Sequence, residues 1–250
     1  VSHPCSFYKN LILQFHQLWF APWNRFSGTN LYETWILALY NVFFTVLSPL
    51  VLGVMERPYS EIFLAMHPMP YQKCQSGVLF RGKSFMIMTV TAAYHSICLY
   101  FICSNICHHE TLDGSNGQVY GRTWIGNMIY FSSLIVVILK SFLLSTEFTW
   151  IHFLLIGIQP LFFIGSLTVY SNISGSFGGL QTGQAALLFN NRIFWVVTFL
   201  VPFFVVTPDF LWRFWENVVL QGRETVKFVE SKISDLSLQR MIEGERKGRK

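Results

Sequence analysis

Charge is scarce in this 250-residue chain: Asp, Glu, Lys and Arg together make up only 12% of it. Soluble domains carry roughly a quarter. With 52% apolar residues, 25 Phe and a mean hydropathy of +0.41, a soluble enzyme of this length could not hide its apolar surface. Disorder, collagen and coiled coil are excluded by the same deficit. Cysteine is sparse too: Cys5, Cys74, Cys98, Cys103 and Cys107 show no paired spacing, which argues against a disulfide framework. Also missing are a Gly-rich phosphate loop, an Asp-Lys-Thr-Gly phosphorylation motif, a nucleophile elbow, internal repeats and low-complexity stretches. A start at Val1, without a basic n-region and cleavage site, reads as an excerpt from something longer.

What is present is a series of uncharged runs. A spanning helix needs about 20 mostly apolar residues, and such runs predict spans near 34–55, 84–106, 124–145, 151–170 and 193–210. Lys140 interrupts the third of these. The stretch 148–191 is uncharged throughout but too long for one span, and its Gly/Ser/Asn-rich second half reads as a loop. Residues 7–20 are apolar but short, and we read them as a sixth span, the first in order. The fold class is therefore an all-α membrane protein: a bundle of about six transmembrane helices over 1–210, then a cytoplasmic tail over 211–250.

Lys and Arg set the orientation. The 56–83 connection holds Arg57, Lys73, Arg81 and Lys83, and the tail holds nine more, whereas the opposite connections hold Arg25, Arg122 and Arg192. Thirteen against three places both ends in the cytoplasm, with Lys73 and the tail inside and Asn116 and Gly178 outside. The tail's mixed charge, nine basic and six acidic residues, suits a membrane surface and not nucleic acid. Its helical spacing from Arg223 to Met241 predicts an amphipathic helix, with Trp212, Arg213 and Arg223 as lipid-regulatory candidates.

Ionisable groups at membrane depth usually face a bundle interior or a cavity. Lys9 stands beside Asn10, and Asn10, Gln14 and Gln17 recur at helical spacing. In the next span Asn41, Thr45 and Ser48 do the same. Pro49 has no N–H to give, so the carbonyl of Thr45 is freed on that face, as in the opened helices of transport sites. A short connection makes the two helices antiparallel neighbours, with Lys9 and Asn41 both roughly 15–18 Å deep. Lys9, Asn10, Asn41, Thr45 and Ser48 are thus the candidate substrate-binding residues. The bland alternatives are a snorkelling Lys9 and polar residues that merely join helices. For Lys140 we favour snorkelling or structural pairing, and for His95 and His152 hydrogen-bonded packing. Cys103, Cys107, His108 and His109 crowd together without the spaced pairs of a structural zinc site, so no metal is assigned. Asn172-Ile173-Ser174 is a weak glycosylation sequon.

These residues also fall into an ordered set: Phe7-Tyr8-Lys9-Asn10, Leu18-Trp19-Phe20, Phe26-Ser27-Gly28, Leu39-Tyr40-Asn41-Val42-Phe43-Phe44-Thr45 and Leu52-Gly53-Val54-Met55-Glu56. The set resembles the phospholipid-flippase class of P-type ATPases. Weaker echoes follow at His95-Ser96, Lys140, Phe194-Trp195 and Asp209-Phe210-Leu211-Trp212-Arg213. The resemblance covers the C-terminal membrane part of such a pump, from within the fifth of ten spans to past the tenth. It implies ATP-driven movement of phospholipid from the exoplasmic to the cytoplasmic leaflet through an aspartyl-phosphate that needs Mg. It implies a small two-span glycosylated β-subunit as partner, in the plasma membrane or Golgi and endosomal membranes. It also implies that Lys9, Asn10 and Asn41 line the headgroup path. The chain departs from the pattern at Ser48-Pro49, where two prolines are common, and at Arg25, where a small residue is usual. Two other readings stay open: a flippase-like scaffold fused to a guanylyl cyclase, and an unrelated six-span channel or carrier using Lys9.

Overall fold

The computed structural model describes residues 2–40, 43, 45–55, 82–108, 120–145, 149–173 and 182–219. Its helices are α1 (Ser2–Trp23), α2 (Thr34–Leu39), α3 (Leu47–Met55), α4 (Gly82–His108), α5 (Arg122–Leu144), α6 (Trp150–Asn172), α7 (Gln184–Phe189) and α8 (Arg192–Val219). The described residues include no strand. An all-helical membrane fold is what a chain of long apolar runs must adopt, because lipid offers backbone groups no hydrogen-bond partners.

Among the described residues four helices are long and apolar enough to cross a membrane: those over Ser84–Cys107, Arg122–Leu144, His152–Asn172 and Arg192–Val219. The first expected span is longer than 7–20, a helix of 22 residues, but Lys9, Gln14, His16 and Gln17 dilute its apolar character. The expected span over 34–55 is not one helix. It is divided into α2 and α3, and between them Thr45 donates its N–H to the carbonyl of Tyr40, five residues back, at 3.0 Å. Such a wide turn inside a helix is a common mark of functional sites. The last helix runs to Val219, past the expected boundary at 210. The sequence did not mark α7, a short helix entered through Gly183 at φ +74°, a backbone state suited to glycine.

The chain separates into two units, Val1–Val206 and Thr207–Lys250. In the first, α5 is the hub. Most of its length is buried, and it packs against α1, α3, α4, α6 and α7. An aromatic column gathers on it: Tyr130 meets Tyr32, Tyr40 and Phe163, and Phe131 meets Phe163 and Phe194, at centroid distances of 4.9–5.8 Å. Offset and edge-on ring contacts of this kind each add about 0.5–1.5 kcal/mol beyond burial. The outer faces carry exposed apolar side chains such as Leu18, Met86, Val90, Leu161 and Leu200, a surface suited to lipid and not to water. In the second unit the described residues continue α8, where Phe210, Leu211, Trp212, Phe214 and Trp215 are exposed.

One close approach ties the α1–α2 connection to the hub. A Cβ added at Gly126 of α5 would lie 2.6 Å from the backbone oxygen of Leu31. The N–H of the same Leu31 donates to Gln17 Oε1 of α1 at 3.0 Å. Glycine on one side and a side-chain amide on the other thus set where the second span begins.

Candidate functional site

Lys9 is buried, only 5% exposed, on the side of α1 that also buries Tyr8, Ile12, Leu13 and His16. A charge inside a bundle must find hydrogen-bond acceptors or the fold loses several kcal/mol. Lys9 finds them in the break between α2 and α3. Its Nζ donates to Thr45 Oγ1 at 3.1 Å and to the Thr45 carbonyl at 3.5 Å. That carbonyl is the one Pro49 cannot engage. The Thr45 hydroxyl donates to the Tyr40 carbonyl at 2.7 Å, and the Tyr40 hydroxyl donates back to the Lys9 carbonyl at 2.9 Å. The ring of contacts Lys9–Thr45–Tyr40–Lys9 therefore holds the ammonium against an opened helix.

Further bonds brace the same break. Tyr130 of α5 donates to the Ile36 carbonyl at 2.9 Å, fixing α2 from the hub side. Ser48 donates to Gln159 Oε1 of α6 at 3.0 Å, both residues being fully buried. Gln159 precedes Pro160 just as Ser48 precedes Pro49, so two proline-weakened helices meet through a side-chain hydrogen bond. Gln159 Nε2 is shielded and has no acceptor among the described residues. On the other flank of Lys9, Tyr8 hydrogen-bonds His95 Nδ1 through its hydroxyl. Lys140 Nζ lies 5.5 Å from the centre of the Tyr8 ring, a cation–π distance. Trp19 Nε1 donates to Ser96 Oγ at 2.9 Å.

The expected residues are thus only partly brought together. Lys9, Thr45 and the adjoining Ser48 line one buried region. Asn10 does not join them. Adjacent helical residues point about 100° apart, and with Lys9 inward Asn10 is exposed, as is Gln14. Gln17 is spent on the Leu31 backbone. Among the described residues, Lys9, beside the first stripe, bonds Thr45 of the second, and Ser48 bonds Gln159 of α6. Asn41 lies outside the described residues, as do Arg223, the expected helix over 223–241, Lys73, Asn116 and Gly178. Trp212 is 72% exposed and Arg213 half-buried on α8. His152 is buried against Phe142 and Phe153.

Two residues of this region escaped the sequence reading. Tyr40 looked like one aromatic among many, and nothing in its spacing distinguishes it. Gln159 was legible: a Gln-Pro pair inside an apolar run is the same signal as Ser48-Pro49. Among the described residues no three His, Cys, Asp or Glu side chains converge as metal ligands.

The comparisons with known proteins point one way. The family described as phospholipid-translocating P-type ATPase, C-terminal, matches residues 2–221. A phospholipid-transporting ATPase of Schizosaccharomyces pombe is 31% identical over 211 residues, covering 84% of this chain and 17% of that protein. The phospholipid-transporting ATPase DRS2 of Saccharomyces cerevisiae is 28% identical over 217 residues, covering 85% of this chain and 16% of its own length. The phospholipid-transporting ATPase tat-1 of Caenorhabditis elegans is 29% identical over 201 residues, with 79% and 17% covered. The chain spans about a sixth of the length of these curated relatives. With its all-helical, apolar bundle and a family match over nearly its whole length, the chain belongs to the phospholipid-translocating P-type ATPases and corresponds to their C-terminal membrane region.

Proposed function

We propose that this chain is the transport module of an ATP-driven flippase that moves phospholipid from the exoplasmic to the cytoplasmic leaflet, with Lys9, Thr45 and Ser48 on the headgroup path. The observation that carries the reading is Lys9 Nζ held by the hydroxyl and freed carbonyl of Thr45 at the break between α2 and α3. Both of these acceptors are neutral, and an ammonium is the group that charge-assisted hydrogen bonds to a phosphate or carboxylate require. Asn10 and Asn41 extend the path in this reading, Asn10 from the outer side of α1. ATP and Mg serve the longer protein, where one conformational cycle would open and close the Lys9 region. A two-span glycosylated β-subunit accompanies the pump, and both ends of the present chain lie in the cytoplasm.

The test is lipid-stimulated ATP hydrolysis and labelled-lipid translocation by the full-length protein carrying Lys9→Ala, Lys9→Arg or Thr45→Val. Loss of one charge-assisted contact in a dry site corresponds to about tenfold or more in turnover, and Lys9→Arg should recover part of it. Unaltered lipid stimulation in Lys9→Ala at normal expression would remove Lys9 from the path. A full-length protein that carries a cyclase and hydrolyses no ATP with any lipid would instead support the scaffold reading.

A further inference from the structure

Thr45, Ser48 and Gln159 meet at the break between α2 and α3, and each is at 0% exposure. In so dry a place a main-chain carbonyl that loses its donor cannot turn to water. The Thr45 carbonyl is such an acceptor. Pro49 has no N–H to give it, and the donor that reaches it among the described residues is Lys9 Nζ at 3.5 Å. Once Lys9 turns to an anion, that carbonyl is bare unless a second donor stands by.

Gln159 is placed to be that donor. α6 touches the break at two points, one on either side of Thr45. Phe162 stacks on Phe43 with centroids 5.3 Å apart and planes 8° apart. Gln159, one turn earlier on the same face of α6, accepts from Ser48 through Oε1 at 3.0 Å. That bond anchors the oxygen end of the amide beside the break and leaves the nitrogen end idle, since Nε2 is shielded and has no acceptor among the described residues. A carboxamide can accept at its oxygen and donate at its nitrogen at once. Pro160, directly after Gln159, takes one hydrogen bond out of α6 and lets the helix yield by the small shift required.

We infer that Gln159 is a positioning residue that takes over from Lys9. When the ammonium leaves Thr45, Gln159 Nε2 donates to the Thr45 carbonyl while Oε1 keeps its bond from Ser48, and the break holds its shape as the positive charge moves away. Hydrogen bonds balance across the exchange: a donor idle in one state is used in the other, and the carbonyl is never bare. Only the reason for Lys9 to leave, an anionic group in transit, rests on the transport reading. The exchange itself does not.

The exchange has a signature that mutual support lacks. Two side chains that hold each other lose less when the second is removed after the first, whereas a reserve donor matters more once the first donor is gone. The experiment is a double-mutant cycle on the purified full-length protein, read as the rate at which monodisperse protein is lost at one elevated temperature. Gln159→Met should speed that loss by about a further three- to tenfold in the Lys9→Ala background than in the wild-type one, the worth of one neutral hydrogen bond. Lys9→Met serves where Lys9→Ala does not accumulate. Tyr170→Phe, which removes another hydrogen bond of α6, should act equally in both backgrounds. ATP hydrolysis titrated with transported lipid adds a readout that lost packing does not move. Gln159→Met should raise the half-saturating lipid concentration about threefold or more with the maximal rate within about twofold, because Lys9 then leaves a bare carbonyl behind. An effect of Gln159→Met on stability that is equal or smaller without Lys9 overturns the inference. A larger effect together with an unmoved lipid titration supports the exchange and removes Lys9 from the lipid path instead.

Discussion

The hydroxyl of Tyr40 donates to the backbone carbonyl of Lys9 at 2.9 Å, across 31 positions of sequence. The bond joins α1 to the residue that follows α2, so Lys9 and the turn closed by Thr45 N–H on the Tyr40 carbonyl are held in one frame. Tyr40 carries no charge and makes its bond with the main chain, so its part is to position Lys9. In Tyr40→Phe the ring stays and the donor goes, at about 0.5–1.5 kcal/mol. Turnover of the full-length pump at saturating lipid should fall several-fold with little change in thermal stability. A titration of ATP hydrolysis against lipid checks it, and an unchanged maximal rate would count against a positioning role.

Gly126 and Gly157 make a controlled pair. At Gly126 an added Cβ would press on the Leu31 backbone oxygen, and backbone cannot rotate away; at Gly157 it would meet nothing within 4 Å. Gly126→Ala should destabilise by about 1–3 kcal/mol through overpacking. Gly157→Ala should be neutral, or stabilising by up to about 1 kcal/mol through helix propensity. Thermal inactivation of the purified full-length protein reads both, and equal effects would contradict the close approach.

Ser48 and Gln159 satisfy each other in a dry interior. Ser48→Ala leaves Gln159 Oε1 without its donor, in an amide whose Nε2 already lacks an acceptor among the described residues, at about 1–3 kcal/mol. Removing both polar ends in Ser48→Ala/Gln159→Leu should restore part of the loss. The double-mutant cycle should give a coupling of about 0.5 kcal/mol or more. Strict additivity would mean that the two side chains do not interact.

The arrangement across the membrane is tested by single-cysteine variants at positions 73 and 178 in sealed cells. An impermeant thiol reagent should label 178 and spare 73. The reverse pattern would invert the orientation drawn from thirteen basic residues against three.

Much of the fold follows from composition and run length. With so few charges, every stretch long enough to cross a bilayer had to do so as a helix, because lipid leaves main-chain groups no other partner. Lys9, Thr45 and Pro49 were legible for a related reason: a lone cation and a missing N–H are conspicuous in an apolar chain. Helical spacing alone, however, ranks residues by periodicity and not by neighbours. It therefore grouped Asn10 with Gln14 and Gln17, although Asn10 and Gln14 are exposed and Gln17 bonds the Leu31 backbone, and it left Tyr40 and Gln159 unmarked. Which carbonyl Lys9 meets, whether 34–55 stays one helix, and which amide answers Ser48 depend on contacts between residues 31 to 111 positions apart. Such contacts exist only once α5 has gathered the other helices around it, since packing geometry, not local propensity, selects among the partners a polar group could have.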